Sequence, residues 1–165
     1  MIVIIQIALG GWVSSNYAAL ACIDLPTCHG QWWPDMDFAA GFNIFQEIGP
    51  NYLGGILYGE GRTAIHFTHR IGALITLAVT LLLALRLYRA GLTTTAAGLV
   101  LVLLTQVGLG ITNVLAHIPL AVAVAHNAVG ALLLLTLVLV NYQLRPVTIQ
   151  VNRKSRNTVG HWTPS

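Results

Sequence analysis

Between residues 90 and 144 the chain carries no aspartate, glutamate, lysine or arginine. A stretch of that length without formal charge has few places to go. On a water-soluble domain it would have to cover a surface that normally carries many charges. In a bilayer it is what the hydrocarbon region demands. The rest of the chain agrees, with 56% hydrophobic and 8% charged residues. The sequence therefore reads as an all-α membrane protein.

Four spanning helices are predicted, over residues 1–17, 63–85, 93–116 and 120–142. Each approaches the roughly 20 residues a helix needs to cross the bilayer. His117-Ile118-Pro119 divides the uncharged stretch into two helices, because proline is tolerated at a helix start but not inside one. Met1 leads directly into apolar sequence, with neither the basic lead-in nor the small-residue cleavage site of a signal peptide. The chain is thus expected to begin inside a helix, as a fragment or a half-size version of something longer.

Loop charges set the orientation. Arg86 and Arg89 follow the second helix, and Arg145, Arg153, Lys154 and Arg156 follow the fourth, so those ends are expected in the cytoplasm. The loop 18–62 carries Asp24, Asp35, Asp37, Glu47 and Glu60 against Arg62 alone, and is expected to face outward. The division is a helical bundle over 1–144 and a basic cytoplasmic tail over 145–165. The net charge of +3 then reports topology, not nucleic-acid binding, and the tail is a solvated or headgroup-contacting end.

Against this background the histidines stand out. His69 opens His-Arg-Ile-Gly-Ala-Leu and His126 opens His-Asn-Ala-Val-Gly-Ala-Leu. An ionisable ring within a span is costly and by default marks a functional site. Each lies some six residues from the outer end of its predicted helix, roughly 9 Å deep at about 1.5 Å per residue. Two imidazoles at one level on separate helices point to a shared partner, and a haem iron with two axial histidines fits. Gly72 and Ala73 beside His69, and Ala123 and Gly130 beside His126, leave room for a macrocycle, although small residues also simply let helices pack closely. Arg70 and Arg62 are candidates for pairing with haem propionates, with Arg62 equally readable as an interface anchor. Arg70, being deeper, is expected to have a fixed anionic partner. His66, one turn outward of His69, is an accessory candidate: an alternative ligand or an acid–base group. No Cys, Asp or Glu stands near it to complete a zinc site. His117 reads as a turn residue, His29 as a loop residue and His161 as a tail residue.

The helices also repeat. Gln6-Ile7-Ala8-Leu9-Gly10 in the first matches Gln106-Val107-Gly108-Leu109-Gly110 in the third, while the second and fourth carry the histidine phrases. That is the pattern of two similar hairpins in a pseudo-symmetric four-helix bundle. Cys22 and Cys28 lie in the outward loop, where a disulfide closing a small loop is expected, with a redox-active thiol pair or metal capture as alternatives. Trp32 and Trp33 read as interface anchors or as a lid over an apolar ligand, and residues 38–58 as a short interfacial helix and a loop.

The run Leu9-Gly10-Gly11-Trp12-Val13, the segment Ala21-Cys22-Ile23-Asp24-Leu25-Pro26-Thr27-Cys28-His29-Gly30, the His69-Arg70 pair and His126 behind a proline-led turn together resemble the C-terminal half of haem A synthases. The resemblance covers residues 1–144. It implies half of an eight-helix bacterial inner-membrane protein, multi-pass with both termini cytoplasmic, that oxidises a haem O methyl group to the formyl of haem A. It implies a haem b held by His69 and His126, and an outer-loop cysteine pair at Cys22 and Cys28. It implies haem O as substrate, with haem O synthase and cytochrome oxidase assembly as partners alongside membrane lipid.

One departure matters. The family's catalytic half has a glutamate three residues before the histidine of its His-Arg pair, whereas here that position is His66. No catalytic residue is assigned, and the chain is expected to need a missing N-terminal half or a homo-oligomer. The alternative is a b-type cytochrome-like membrane electron carrier without a substrate site. A third reading is a structural assembly factor whose histidines are only hydrogen-bonded within the bundle.

Overall fold

The computed structural model describes residues 1–45 and 57–144. Its elements in chain order are α1 (Ile2–Ser15), α2 (Phe38–Gly41), α3 (Gly59–Arg89), α4 (Thr93–Leu115) and α5 (Leu120–Gln143). Apart from these helices, an isolated antiparallel bridge joins Cys28 and Gln31. The expected segment 46–56 and the tail 145–165, with His161, lie outside the described residues.

Among the described residues three helices, α3, α4 and α5, are long and apolar enough to cross a membrane. The apolar α1 has 14 residues, or about 21 Å against a hydrocarbon core of about 30 Å. The ends of α4 and α5 agree with the sequence expectation to within a residue. Helix α3 overruns the expected 63–85 at both ends. Its first turn carries Glu60 and its last turn Arg86 and Arg89, charges that suit the two poles of a helix. They belong to turns a helix carries beyond the hydrocarbon, which hydropathy alone does not count.

Helices α1 and α4 stop by the same device. Tyr17 and His117 take left-handed backbone angles, φ 52° and 56°. The next residue then turns its N–H back along the helix: Ala18 to the Val13 carbonyl at 2.9 Å, Ile118 to that of Asn113 at 2.8 Å. This is the cap that glycine usually makes, built here without glycine.

Helix α1 packs on α3, α3 on α4 and α4 on α5, while α1 touches α5 more lightly. No close backbone approach joins α3 to α5 among the described residues. Two apolar clusters fill the interior. Val3, Ala84, Leu87, Ala96, Leu99, Leu103, Leu133 and Val140 pack at the end where α3 finishes. Val13, Ala18 and Ile65 pack at the end where α3 begins. On α1 and α3, Gln6, His66 and His69 fall between these clusters, and on α4 and α5, Gln106 and His126 follow or precede the first cluster's residues, which makes a polar layer. The outer surfaces stay apolar, with Leu82, Leu101, Leu135 and Val138 exposed, as a lipid-facing surface would be.

Helix α2 is tied to its neighbours. The Asp37 carboxylate accepts from the Ala40 N–H at 2.9 Å. Trp12 Nε1 donates to the Gly41 carbonyl at 2.9 Å, and the Asp37 N–H reaches the Glu60 carbonyl at 3.1 Å. Trp32 and Trp33 are exposed, and Trp33 meets Phe67 edge-on at 5.4 Å between ring centres.

Candidate functional site

The polar layer consists of two similar constellations. In the first, Gln6 on α1 faces His69 on α3. Its Nε2 donates to the His69 carbonyl at 3.0 Å and lies 3.1 Å from ring Nδ1. A Cβ at Gly10 would come within 3.2 Å of His69 Cε1, so the ring lies on bare α1 backbone. In the second, Gln106 Nε2 on α4 lies 3.3 Å from His126 Nε2 on α5. A Cβ at Gly110 would come within 3.1 Å of His126 Cε1.

Gly72 and Gly130, expected to make room for a macrocycle, serve the glutamines. A Cβ on Gly72 would collide with Gln6 Oε1, and one on Gly130 would come within 3.2 Å of Gln106 Nε2. The glycines that admit the imidazoles are Gly10 and Gly110, on the opposite helix of each pair. The two rings sit on helices that make no close backbone approach to each other among the described residues. Several buried polar atoms of this layer have no hydrogen-bond partner: Gln6 Oε1, Gln106 Oε1, Asn113 Oδ1 and His126 Nδ1. Such atoms are costly in apolar surroundings unless a bound group satisfies them.

The side of the layer toward the start of α3 is closed by the cysteine loop. Cys22 and Cys28 form a disulfide, and both are fully buried. The Asp24 carboxylate organises the turn, accepting from the Thr27 hydroxyl at 2.6 Å, the His29 N–H at 2.8 Å and the Gly30 N–H at 3.0 Å. The Thr27 hydroxyl, then the Gly30 and His29 amides, hold the Asp24 carboxyl well below the usual carboxylate range.

Arg70 reaches into this loop. Its Nη1 donates to the carbonyls of Asp24 and Thr27, both at 2.9 Å, and its Nη2 to that of Cys22 at 2.5 Å. The fixed anion expected for Arg70 is thus replaced by three carbonyl oxygens, with the Asp24 charge within Coulombic reach. Arg70 Nε is buried without a hydrogen-bond partner. His66 is buried and turned to the same loop, its Nδ1 accepting the Cys22 N–H at 3.3 Å. One turn separates His66 from Arg70, so a single stripe of α3 grips the loop while His69 faces α1.

The structure therefore sets His69 and His126 in one layer and assigns His66 and Arg70 to the loop above it. Arg62 is half-buried in the first turn of α3, whereas His29 and His117 are exposed. Among the described residues no group of three or more His, Cys, Asp or Glu side chains is placed to hold a metal ion by itself. Sequence reading noted Gln6 and Gln106 only as repeat markers and missed their contact with the histidines. The available signal was that an amide amid apolar residues needs a partner as much as an imidazole does.

The COX15-CtaA family model, described as cytochrome oxidase assembly protein, matches residues 1–138. The heme A synthase of Shewanella oneidensis is 51% identical over 140 residues, which cover 84% of this chain and 42% of that protein. That of Methylobacterium radiotolerans is 31% identical over 147 residues, 87% of this chain and 37% of that protein. That of Paracoccus denitrificans is 32% identical over 138 residues, 82% of this chain and 33% of that protein. The chain thus spans about two fifths or less of the length of these curated relatives. No solved structure matches it.

Proposed function

Because this chain belongs to the haem A synthase family, we propose that it is the haem b-holding half of a membrane oxidoreductase that turns a haem O methyl group into the formyl of haem A. His69 and His126 would hold the haem iron in this reading. The chain forms a four-transmembrane-helix bundle, half of a pseudo-symmetric eight-helix fold, multi-pass in a bacterial inner membrane with its basic tail in the cytoplasm. A second half, from an N-terminal region or another copy, holds the haem O substrate. Haem O synthase supplies that substrate, and cytochrome oxidase receives the product.

The observation that carries the reading is the paired constellation. Two imidazoles from helices without a close backbone approach share one polar layer, each set against a glycine of the neighbouring helix. The residues fit a haem. A porphyrin supplies four nitrogens of its own, so two protein ligands suffice and no larger cluster is needed. His126 Nδ1 is a buried ring nitrogen without a hydrogen-bond partner. Arg70 Nε is a buried cationic donor beside His69 with the same need, suited to a propionate.

Bound between two histidines, a haem is coordinatively saturated and supplies one-electron transfer rather than oxygen activation. The chain's own residues hold and shield it. His69 on α3 and His126 on α5 would hold the iron. Gly10 and Gly110 let the Cε1 corners of the rings come close to α1 and α4. His66 and Arg70 hold the disulfide loop over the outward side and keep water from it.

The test is to produce the full chain in a haem-replete bacterial membrane, purify it in detergent, and record its optical and low-spin electron paramagnetic resonance spectra. Wild-type protein is expected to show a six-coordinate b-type spectrum. His69→Ala and His126→Ala are each expected to lose it, and His66→Ala to keep it. A wild-type preparation without haem, or a His69→Ala spectrum unchanged from wild type, refutes the assignment.

A further inference from the structure

We infer that Gln6 and Gln106 are positioning residues for the two haem ligands, each holding its histidine through a side-chain amide donated by the neighbouring helix. This rests on the bis-histidine reading above and adds the groups that set the ligands' rotation and basicity.

The geometry is specific. Gln6 is anchored to the histidine it serves, through the His69 carbonyl at 3.0 Å, before it reaches ring Nδ1 at 3.1 Å. One ring edge is thereby engaged, which leaves Nε2 for iron. Gln106 engages His126 at the opposite ring nitrogen, Nε2, at 3.3 Å, so the nitrogen left for iron in that ring is Nδ1. That Nδ1 is buried and without a hydrogen-bond partner. Both amides are given space by the absence of a Cβ, at Gly72 and at Gly130. The carbonyl end of each, Oε1, is buried and also lacks a hydrogen-bond partner.

An amide suits this task because it works in both senses. Its nitrogen donates to a bare ring nitrogen, as here. Turned by half a rotation about its last bond, its oxygen accepts from a protonated one. A neutral imidazole that gives one nitrogen to a metal carries its proton on the other, and that proton needs an acceptor. The orphaned oxygens of Gln6 and Gln106 become those acceptors once the amide turns, at Gln6 in exchange for the bond to the His69 carbonyl. Such outer partners orient the ring and raise its basicity, and losing one typically costs about 10-fold to 100-fold in metal affinity.

The two positions also explain a sequence feature that composition does not. Glutamine is expensive in apolar surroundings, yet it occurs on both α1 and α4 four residues before the glycine that receives the ring.

The test uses the full chain carrying haem, in detergent, with three readouts: the rate of haem transfer to excess apomyoglobin, the midpoint potential, and the low-spin resonance signature. Gln6→Leu removes the acceptor, and Gln6→Glu keeps one and strengthens it. Gln6→Leu is expected to lose haem about 10-fold or more faster and to raise the potential, because its ligand becomes less basic. Gln6→Glu is expected to hold haem and to lower the potential. Gln106→Leu and Gln106→Glu repeat the pattern at His126. Displacements of opposite sign support the inference. Wild-type potential and off-rate in all four variants, or shifts of the same sign for Leu and Glu, overturn it while leaving the bis-histidine assignment standing. Wild-type protein that takes up no haem refutes that assignment instead.

Discussion

Replacing Arg70 by methionine keeps the apolar stem and removes the guanidinium that closes the 22–30 loop. Three donors are lost, at 2.9, 2.9 and 2.5 Å from the carbonyls of Asp24, Thr27 and Cys22. Hydrogen bonds from charged groups contribute about 1.5–3 kcal/mol each after exchange with water. These three share one half-buried side chain, so their losses do not add, and about 3 kcal/mol for the set is the working figure. At about 1.4 kcal/mol per factor of ten, that raises the open fraction of the loop roughly 100-fold. The Cys22 and Cys28 side chains are 0% exposed, so a membrane-impermeant phosphine reaches the disulfide only through the open form. The rate of its reduction, followed by thiol labelling, reads the opening directly. Arg70→Met is expected to be reduced about 100-fold faster than wild type. Arg70→Lys is expected to fall between them, because one ammonium cannot span three carbonyls as a planar fork does. Reduction of Arg70→Met at the wild-type rate would show that the disulfide loop stands without Arg70, and that these contacts carry no stability.

Two further outcomes follow from single side chains. Gly110→Ala places a methyl 3.1 Å from His126 Cε1, an overpacking that costs about 1–3 kcal/mol and must tilt the ring. Its low-spin resonance signal is expected to shift and its haem content to fall. Gly108→Ala, where nothing lies within 4 Å, is expected to match wild type. Asp24 gives a pH dependence. Its folded carboxyl is held below the usual range by the Thr27 hydroxyl and the loop amides, so its contribution to the loop is complete above the unfolded value of about 3.9 and is lost as pH falls from there through the folded value. Phosphine reduction of the disulfide is expected to be flat through neutral pH and to accelerate only below about pH 4, with Asp24→Asn fast at every pH. A wild-type rate that already rises between neutrality and pH 5 would refute the role given to Asp24.

Much of the framework was legible because hydrophobic length is a one-dimensional signal. Helices α4 and α5 have sharp ends in the sequence: Thr93 follows the turn after Arg89, and Pro119 starts α5 where proline is allowed. Helix α3 was read short because Glu60, Arg62, Arg86 and Arg89 look like loop residues to a hydropathy scale, although a helix keeps its hydrogen bonds past the hydrocarbon edge. Tyr17 and His117 could not be read as left-handed caps, since the preference for glycine there is only statistical and Ala18 and Ile118 close the turn regardless.

The candidate site was legible to the extent that its members are individually rare. Histidine in a span announces itself, and so does arginine. What such rarity leaves open is direction. His66, His69 and Arg70 fall within five consecutive residues of one helix, yet the 3.6-residue turn sends His69 to Gln6 and the other two to the disulfide loop. Spacing alone left His66 open as a second ligand, and charge alone promised Arg70 an anion. Both readings treat α3 as if it faced one neighbour, when it is gripped on one side by α1 and capped on another by the 22–30 loop. That division has a functional consequence. The segment that carries His69, one of the two proposed haem ligands, is also the segment that holds the loop. Loosening the loop should therefore reach His69 through one turn of helix, and haem spectra and disulfide reduction should respond together in Arg70→Met but separately in Gln6→Leu.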